Sequence, residues 1–291
     1  MNKVAEQKHI PAIRFKGFND EWELRKLEDI TNFLDEQRKP LESGIRESGP
    51  YPYYGASGVI DFVKDYLFDE ELILLSEDGA NIIDRNYRVC FLANGKYWVN
   101  NHAHVLKSKD NYSNAFLCES LERLNYEKYN TGTAQPKLNQ EVCRNIVIST
   151  PNVAEQTKIG SYFQNFDKLI SLHQAKVDKL VNLKKAMLEK MFPKDGAHVP
   201  EIRFKGFDGA WEKSRFGDCV LIQRGGSPRP IESFITNEEN GINWIKIGDV
   251  SKASRYITKT KEKIIPSGEK YSRRVYAGDV ILSNSMSFGR Q

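Results

Sequence analysis

The chain has 291 residues, 40% apolar and 28% charged, with a formal charge of +4. That is enough for one large domain or two ordinary ones with real cores, and too weakly basic for charge alone to imply a nucleic-acid partner. No run of 18 apolar residues occurs, which excludes a hydrophobic membrane-spanning helix, and the opening MNKVAEQKHIPAIRF holds no apolar stretch of the kind a secretory signal needs.

Along the chain, residues 24–150 read as mixed α/β. YPYYGASGVIDFV (51–63) is a turn-rich aromatic stretch that passes into an alternating, strand-like run. LILLS (72–76) is short and wholly apolar before its serine, as in a strand buried on both faces. YRVCFLA (87–93) and YWVNNHAHVL (97–106) are further strands, and the Asn94-Gly95 pair between them predicts a hairpin. NAFLCESLERLNYEKY (114–129) carries Phe116, Leu117, Leu121 and Leu124 at helical spacing, and RNIVIS (144–149) closes the region as a strand. Cys90, Cys118, Cys143 and Cys219 form no C-x-x-C pair, so reduced thiols in a cytoplasmic protein are expected.

Residues 151–192 differ in kind. Stepping by alternating four and three gives Ile159, Phe163, Phe166, Ile170, His173, Val177, Leu180, Lys184, Met187 and Met191, of which eight are apolar. This is a heptad seam, widened by Leu169, Leu172 and Leu183, and one isolated helix cannot bury it. His173 reads as a polar residue that sets register, and Gly160 as a breaker after which the continuous coil begins. Pro193 and Gly196 stop the helix. About 38 residues at roughly 1.5 Å each give a rod of about 57 Å, the length of roughly 17 base pairs of duplex.

The sequence then repeats itself. PAIRFKGFNDEWE (11–23) lies over PEIRFKGFDGAWE (200–212) with nine of thirteen positions identical, at a constant offset of 189. A period of that size is a whole domain rather than a solenoid unit. ILLS (73–76) also resembles VILS (280–283), so the stretch between anchors is 18 residues longer in the second copy, and its sequence is unrelated. The expected plan is a first domain at 1–150, a spacer helix at 151–195 and an incomplete second copy at 196–291. Residues 201–291 hold 16 Lys/Arg against 11 Asp/Glu, and KASRYITKTKEKIIPSGEKYSRR (252–274) mixes basic residues with tyrosine, which suits phosphate contact or simply a solvated surface.

The two IRFKGF-x-x-x-W motifs, TGTAQPKLNQ (131–140), IVISTPNVAEQTKIGSYFQNFDKLI (146–170), LLSEDGANI (74–82) and YGASGVIDFV (54–63) together resemble the specificity subunit of type I restriction–modification systems. The resemblance covers essentially the whole chain. It implies target-recognition domains that each read half of a bipartite site on double-stranded DNA, held apart by paired long helices. It implies DNA-adenine methyltransferase and restriction subunits as partners, with S-adenosylmethionine, ATP and magnesium bound by those partners and no cofactor or metal on this chain. It also implies no chemistry in the chain itself. Two chains pairing their seams as a homodimer is a further expectation.

The residues offer several candidate DNA contacts. Tyr53, Tyr54 and Ser57 are read on a glycine-flanked loop that can reach a groove, with packing as the alternative for the aromatics. Asn81 and Arg85 follow the buried strand, and Glu77-Asp78 beside them lack a third metal ligand. Asn100 precedes His102-x-His104, whose imidazoles would share one strand face and touch bases or phosphates, or pack; no cysteine or histidine set completes a zinc site around them. Thr133, Gln135 and Lys137 lie in TGTAQPKLN, with Gly132 and Asn139; glutamine can bind adenine and lysine guanine or phosphate, but the loop belongs to the shared frame, which favours phosphate positioning or a structural role. No phosphate-binding Gly-Lys-Ser/Thr loop, Asn-Pro-Pro-type run or nuclease core is present, which argues against an autonomous DNA-modifying or DNA-cleaving enzyme. A coiled-coil adaptor unrelated to DNA is the remaining alternative.

Overall fold

The computed structural model describes residues 10–250 and 256–282. Its contacts divide the chain into two units, Met1–Ala186 and Met187–Gln291. In chain order the first unit holds β1 (Glu23–Lys26), α1 (Leu27–Ile30), β2 (Thr31–Phe33), β3 (Ser48–Gly55), β4 (Gly58–Val63), β5 (Phe68–Asp69), β6 (Leu72–Ser76), α2 (Asn81–Asp84), β7 (Cys90–Ala93), β8 (Lys96–Val99), β9 (Ala103–Ser108), α3 (Asn114–Glu122), α4 (Gln140–Arg144) and β10 (Val147–Thr150). The helix α5 (Val153–Lys190) follows, and its last turn lies past the division between units.

Two four-stranded sheets make the first unit, in the orders β2-β9-β6-β7 and β4-β3-β8-β5. The first is antiparallel throughout, and the second contains one parallel pair, β3 with β8. The wholly apolar LILL of β6 is explained by burial on both faces. Ile73 and Leu75 enter a core with α1, α3 and α4, while Leu72 and Leu74 enter a second core with Phe68, Tyr97, Val99 and Val105. The period of two along one strand thus divides four consecutive residues between two cores. Cys90, Cys118 and Cys143 are buried in the larger core, and all four cysteines are free thiols.

The mixed α/β class and the long helix agree with the sequence, and several local expectations need correction. Asn94-Gly95 makes a turn but no hairpin, because β7 pairs with β6 while β8 pairs with β3 and β5. The turn carries the chain from one sheet to the other. The 97–106 stretch is two strands broken at Asn100–His102, and the 114–129 helix ends at Glu122. Gly160 does not break α5; a Cβ there would lie 2.8 Å from the Cβ of Ala115, so the glycine lets α5 cross close to α3.

The second unit holds α6 (Phe216–Cys219) and a three-stranded antiparallel sheet of β11 (Ile235–Thr236), β12 (Ile242–Trp244) and β13 (Glu262–Ile264) in the order β11-β13-β12. Residues 280–282, which match part of β6, form no strand. Ser283 and residues 252–255 of the basic stretch lie outside the described residues.

The double-sided burial of β6 makes its side chains sensitive. Leu74→Ala should cost about 2–5 kcal/mol, read as a lowered midpoint in urea denaturation with an unchanged slope.

Candidate nucleic-acid interface

Four loops meet at one end of the two sheets: the β3–β4 turn, residues 77–80 after β6, the turn at 100–102, and residues 130–138. Backbone bonds knit them together. Glu77 N–H donates to the His102 carbonyl at 2.9 Å, Gly79 N–H to Pro136 at 3.0 Å and Leu138 N–H to Glu77 at 2.7 Å. The Ser76 hydroxyl lies against the Ala56 carbonyl at the β3–β4 turn, and Asn100 N–H donates to Tyr54.

The 130–138 loop is closed on itself. Asn130 Oδ1 accepts from both Gly132 and Lys137 N–H at 2.9 Å, and Thr131 N–H donates to the Lys137 carbonyl at 2.8 Å. A Cβ on Gly132 would fall 1.8 Å from the Gln135 carbonyl oxygen, so no other residue fits without rebuilding the loop. Thr133, Ala134 and Gln135 stand exposed at its tip.

A buried ionic network lies beneath these loops. His104 Nδ1 is 2.6 Å from Asp35 Oδ2, and Nε2 is 2.7 Å from the Leu138 carbonyl. Both partners only accept, so the ring donates from both nitrogens and is the imidazolium. Burial opposes that charge, but the hydrogen bond to Asp35, the neighbouring Cys143 and the Asp35 charge overcome it and hold the pKa at about 10. For Asp35, burial raises the carboxyl pKa, and the His104 bond and charge, the Val105 N–H and Arg38 more than offset it and hold it below its ordinary value. Gln140 Nε2 and Val105 N–H also donate to Asp35, at 2.8 and 2.9 Å. Arg38 donates to Glu77 Oε2 at 2.6 Å and to the Ala103 carbonyl at 2.8 Å, and Lys137 Nζ reaches Glu77 Oε1 at 3.3 Å. The network therefore fixes the 77–80 and 130–138 loops from below.

In the same unit, α5 is anchored at its start. Glu155 is fully buried and accepts two bonds of 2.7 Å from the Arg14 guanidinium of the first IRFKGF. Gln156 is also buried; its Nε2 donates to the Pro151 carbonyl, and its Oε1 accepts from Ser113 N–H at the start of α3. Phe15 packs edge-on to Tyr162, and Lys158 lies over Phe15 and Phe18.

Residues 19–182 match the model of the type I restriction modification DNA specificity domain. The chain belongs to that family. A Haemophilus influenzae protein assigned as a type I restriction enzyme specificity subunit is 35% identical over 144 residues, 50% of this chain and 36% of that protein. The type I restriction enzyme MjaVIII specificity subunit of Methanocaldococcus jannaschii is 25% identical over 249 residues, 79% of this chain and 56% of its own length. The chain thus spans between about a third and just over half of these relatives. The crystal structure of the type I restriction-modification system S subunit from M. genitalium aligns at 20% identity with a TM-score of 0.48, over 60% of this chain and 46% of that one.

Within this specificity domain the residues singled out from sequence divide by exposure. Ser57, His102, Thr133, Gln135 and Lys137 lie exposed in the loop cluster. Tyr53 does not: it sits in β3, buried, its hydroxyl accepting from Leu41 N–H. Tyr54, also in β3, stacks on Phe91 and meets Tyr97 edge-on, and burial raises its phenol pKa. The expected glycine-flanked loop is therefore a hairpin with only Ala56 and Ser57 at its turn. Asn81 is buried and bonds both backbone groups of Tyr87. Arg85 is held by Glu122 of α3. Asn100 is buried and accepts from His102 N–H. His102 and His104 do not share a strand face, because His102 lies in the turn with its Nδ1 2.8 Å from Asp78. Asp35, Arg38 and Gln140 were not legible as site residues; Arg38 lies 39 positions from Glu77 and Gln140 105 from Asp35, and none of the three carries a local motif. Among the described residues no group of three His, Cys, Asp or Glu is placed to hold a metal ion.

Of the seam, Ile159 belongs to the domain core, and Met187 and Met191 are half-buried. Phe163, Phe166, Ile170, His173, Val177 and Leu180 are exposed, as are Leu169, Leu172 and Leu183 beside them. No helix among the described residues is long and apolar enough to cross a membrane.

His104 sets a pH dependence. Its folded pKa is raised to about 10, so its contribution is full below the unfolded value of about 6.5 and falls away as pH rises toward 10. Asp35 works in the opposite direction: its contribution is lost as pH falls below the ordinary carboxylate range. His104→Gln should lower stability near pH 6 by about 3–5 kcal/mol, and melting curves from pH 6 to 10 should lose most of their slope relative to the unsubstituted chain.

Proposed function

We propose that this chain is the non-catalytic DNA-reading subunit of a type I restriction–modification assembly. The observation that carries this reading is the pairing of two features on one unit. An exposed loop cluster with Ser57, His102, Thr133, Gln135 and Lys137 is clamped from below, and a helix with an exposed apolar seam is anchored to the same unit. Family membership and the described specificity subunits support it.

In this reading the closed 130–138 loop meets the duplex. Thr133, Gln135 and Lys137 contact phosphates and position the domain, while Ser57 and His102 at the neighbouring turns approach the groove. The seam of α5 takes a second helix, from a second copy of the chain or from a partner subunit, and the rod between recognition units sets half-site spacing. The domain plan is one recognition domain over 1–150, the spacer over 151–195 and a second, partial recognition unit from 196. Methyltransferase subunits bind S-adenosylmethionine, and restriction subunits bind ATP and magnesium; this chain binds neither cofactor nor metal and acts in the cytoplasm.

Several measurements test this. The full chain should bind duplex DNA with affinity falling linearly in log–log salt, and Lys137→Ala should weaken binding to all duplexes about evenly and reduce the slope by about one. Binding without salt dependence would favour an adaptor unrelated to DNA. Incubated alone with S-adenosylmethionine or magnesium, the chain should neither methylate nor cleave. For the seam, the paired substitution of Phe166→Glu and Leu180→Glu should abolish self-association in sedimentation equilibrium while leaving DNA binding by the first unit within about twofold. A wild-type chain that stays monomeric at micromolar concentration rules out self-pairing.

A further inference from the structure

His102 is exposed and yet held at three points. Its N–H donates to Oδ1 of the buried Asn100 at 2.8 Å, and its carbonyl accepts from Glu77 N–H at 2.9 Å. Its ring Nδ1 lies 2.8 and 3.0 Å from the two carboxylate oxygens of Asp78. Asp78 is half-buried and bridged to Lys137 of the closed loop, and Gly79 beside it donates to Pro136. The imidazole is therefore mounted on the frame of the loop cluster. Ring Nε2 makes no hydrogen bond among the described residues. A Cβ on Gly79 would lie 3.9 Å from Gln135 Nε2, so the exposed Gln135 and His102 side chains flank the same Asp78–Gly79 step.

The mount selects a tautomer. An ionised carboxylate only accepts hydrogen bonds, so Nδ1 carries the proton. In the neutral ring Nε2 then holds a lone pair and can only accept. Phosphate oxygens also only accept, so that atom has nothing to offer the DNA backbone. Base edges in the major groove do differ. Adenine N6 and cytosine N4 present donors, whereas guanine O6 and N7 and thymine O4 present acceptors.

We propose that His102 is a specificity-determining residue that accepts a hydrogen bond at Nε2 from the exocyclic amine of adenine or cytosine, with Asp78 as the residue that positions the ring in its accepting tautomer. The inference rests on the DNA-reading function proposed above and assigns one position of the half-site. Adenine and cytosine are admitted there, because one bond cannot tell their amines apart. Guanine and thymine are rejected, because each would set an acceptor against an acceptor.

The test is selection of bound duplexes from a randomised pool by the full chain at pH 8, where an imidazole is ordinarily neutral. One position should favour adenine or cytosine over guanine or thymine by about tenfold. His102→Ala should level that position while leaving the others and the salt slope unchanged. Asp78→Asn can donate to Nδ1 as well as accept from it, so it permits the other tautomer and should admit guanine or thymine at the same position. A merely structural Asp78 would instead lower binding to all sequences evenly. Asp78→Asn also keeps the test decisive should His102→Ala disturb the turn. Salt-dependent binding without such a position, even weakening of all duplexes by His102→Ala, or a profile that Asp78→Asn leaves unchanged overturns this proposal alone. A chain that shows no salt-dependent binding to duplex DNA overturns the DNA-reading function and this proposal with it.

Discussion

A carboxylate with no access to water must be neutralised where it lies, and Glu155 is such a group. Its only described ionic partner is Arg14, 141 residues earlier, and the pairing is bidentate, so it fixes direction as well as distance. Gln156 ties the adjacent position to α3, and Gly160 allows the next turn to press against Ala115. Two turns of α5 are thus built into the first unit, and from there the helix carries an exposed apolar stripe. The start of that stripe is placed relative to the loop cluster by a few buried polar bonds rather than by a flexible linker.

The loop cluster is held by the same logic. Loops that carry a recognition surface sit on the outside and are inclined to move. Here a protonated imidazole, a carboxylate, an arginine and a glutamine beneath them form bonds that leave few donors or acceptors unsatisfied. A satisfied network in a low-dielectric setting rigidifies what rests on it. The tip residues Thr133 to Gln135 remain exposed, so their side chains can vary without touching the frame.

What the sequence made legible follows from range. The β6 strand and α5 are written in consecutive residues and read directly from apolar runs and heptad spacing. The repeated IRFKGF and the stretch at 146–170 were visible as motifs, but their mutual bond was not, because no pattern in either one names the other. The same reason hid Asp35 and Arg38. Tyr53, Asn81 and His104 failed as surface candidates for a related cause: polar and aromatic residues near a turn look alike whether they face solvent or satisfy a buried partner. Asn94-Gly95 has the chemistry of a tight turn, but pairing depends on which sheet receives the next strand, and that is decided by the tertiary packing of Tyr97 and Val99.

The repeat supplies an internal comparison that a single domain cannot. Leu27 is fully buried, whereas Phe216 at the same place in the second copy is 66% exposed, although the turn before each is the same. Local sequence therefore determines the turn and the short helix after it, while burial depends on segments distant in the chain. The identical residues at 13–18 and 202–207 account for the shared turn, and in the first copy that turn receives the strand β10 and the start of α5.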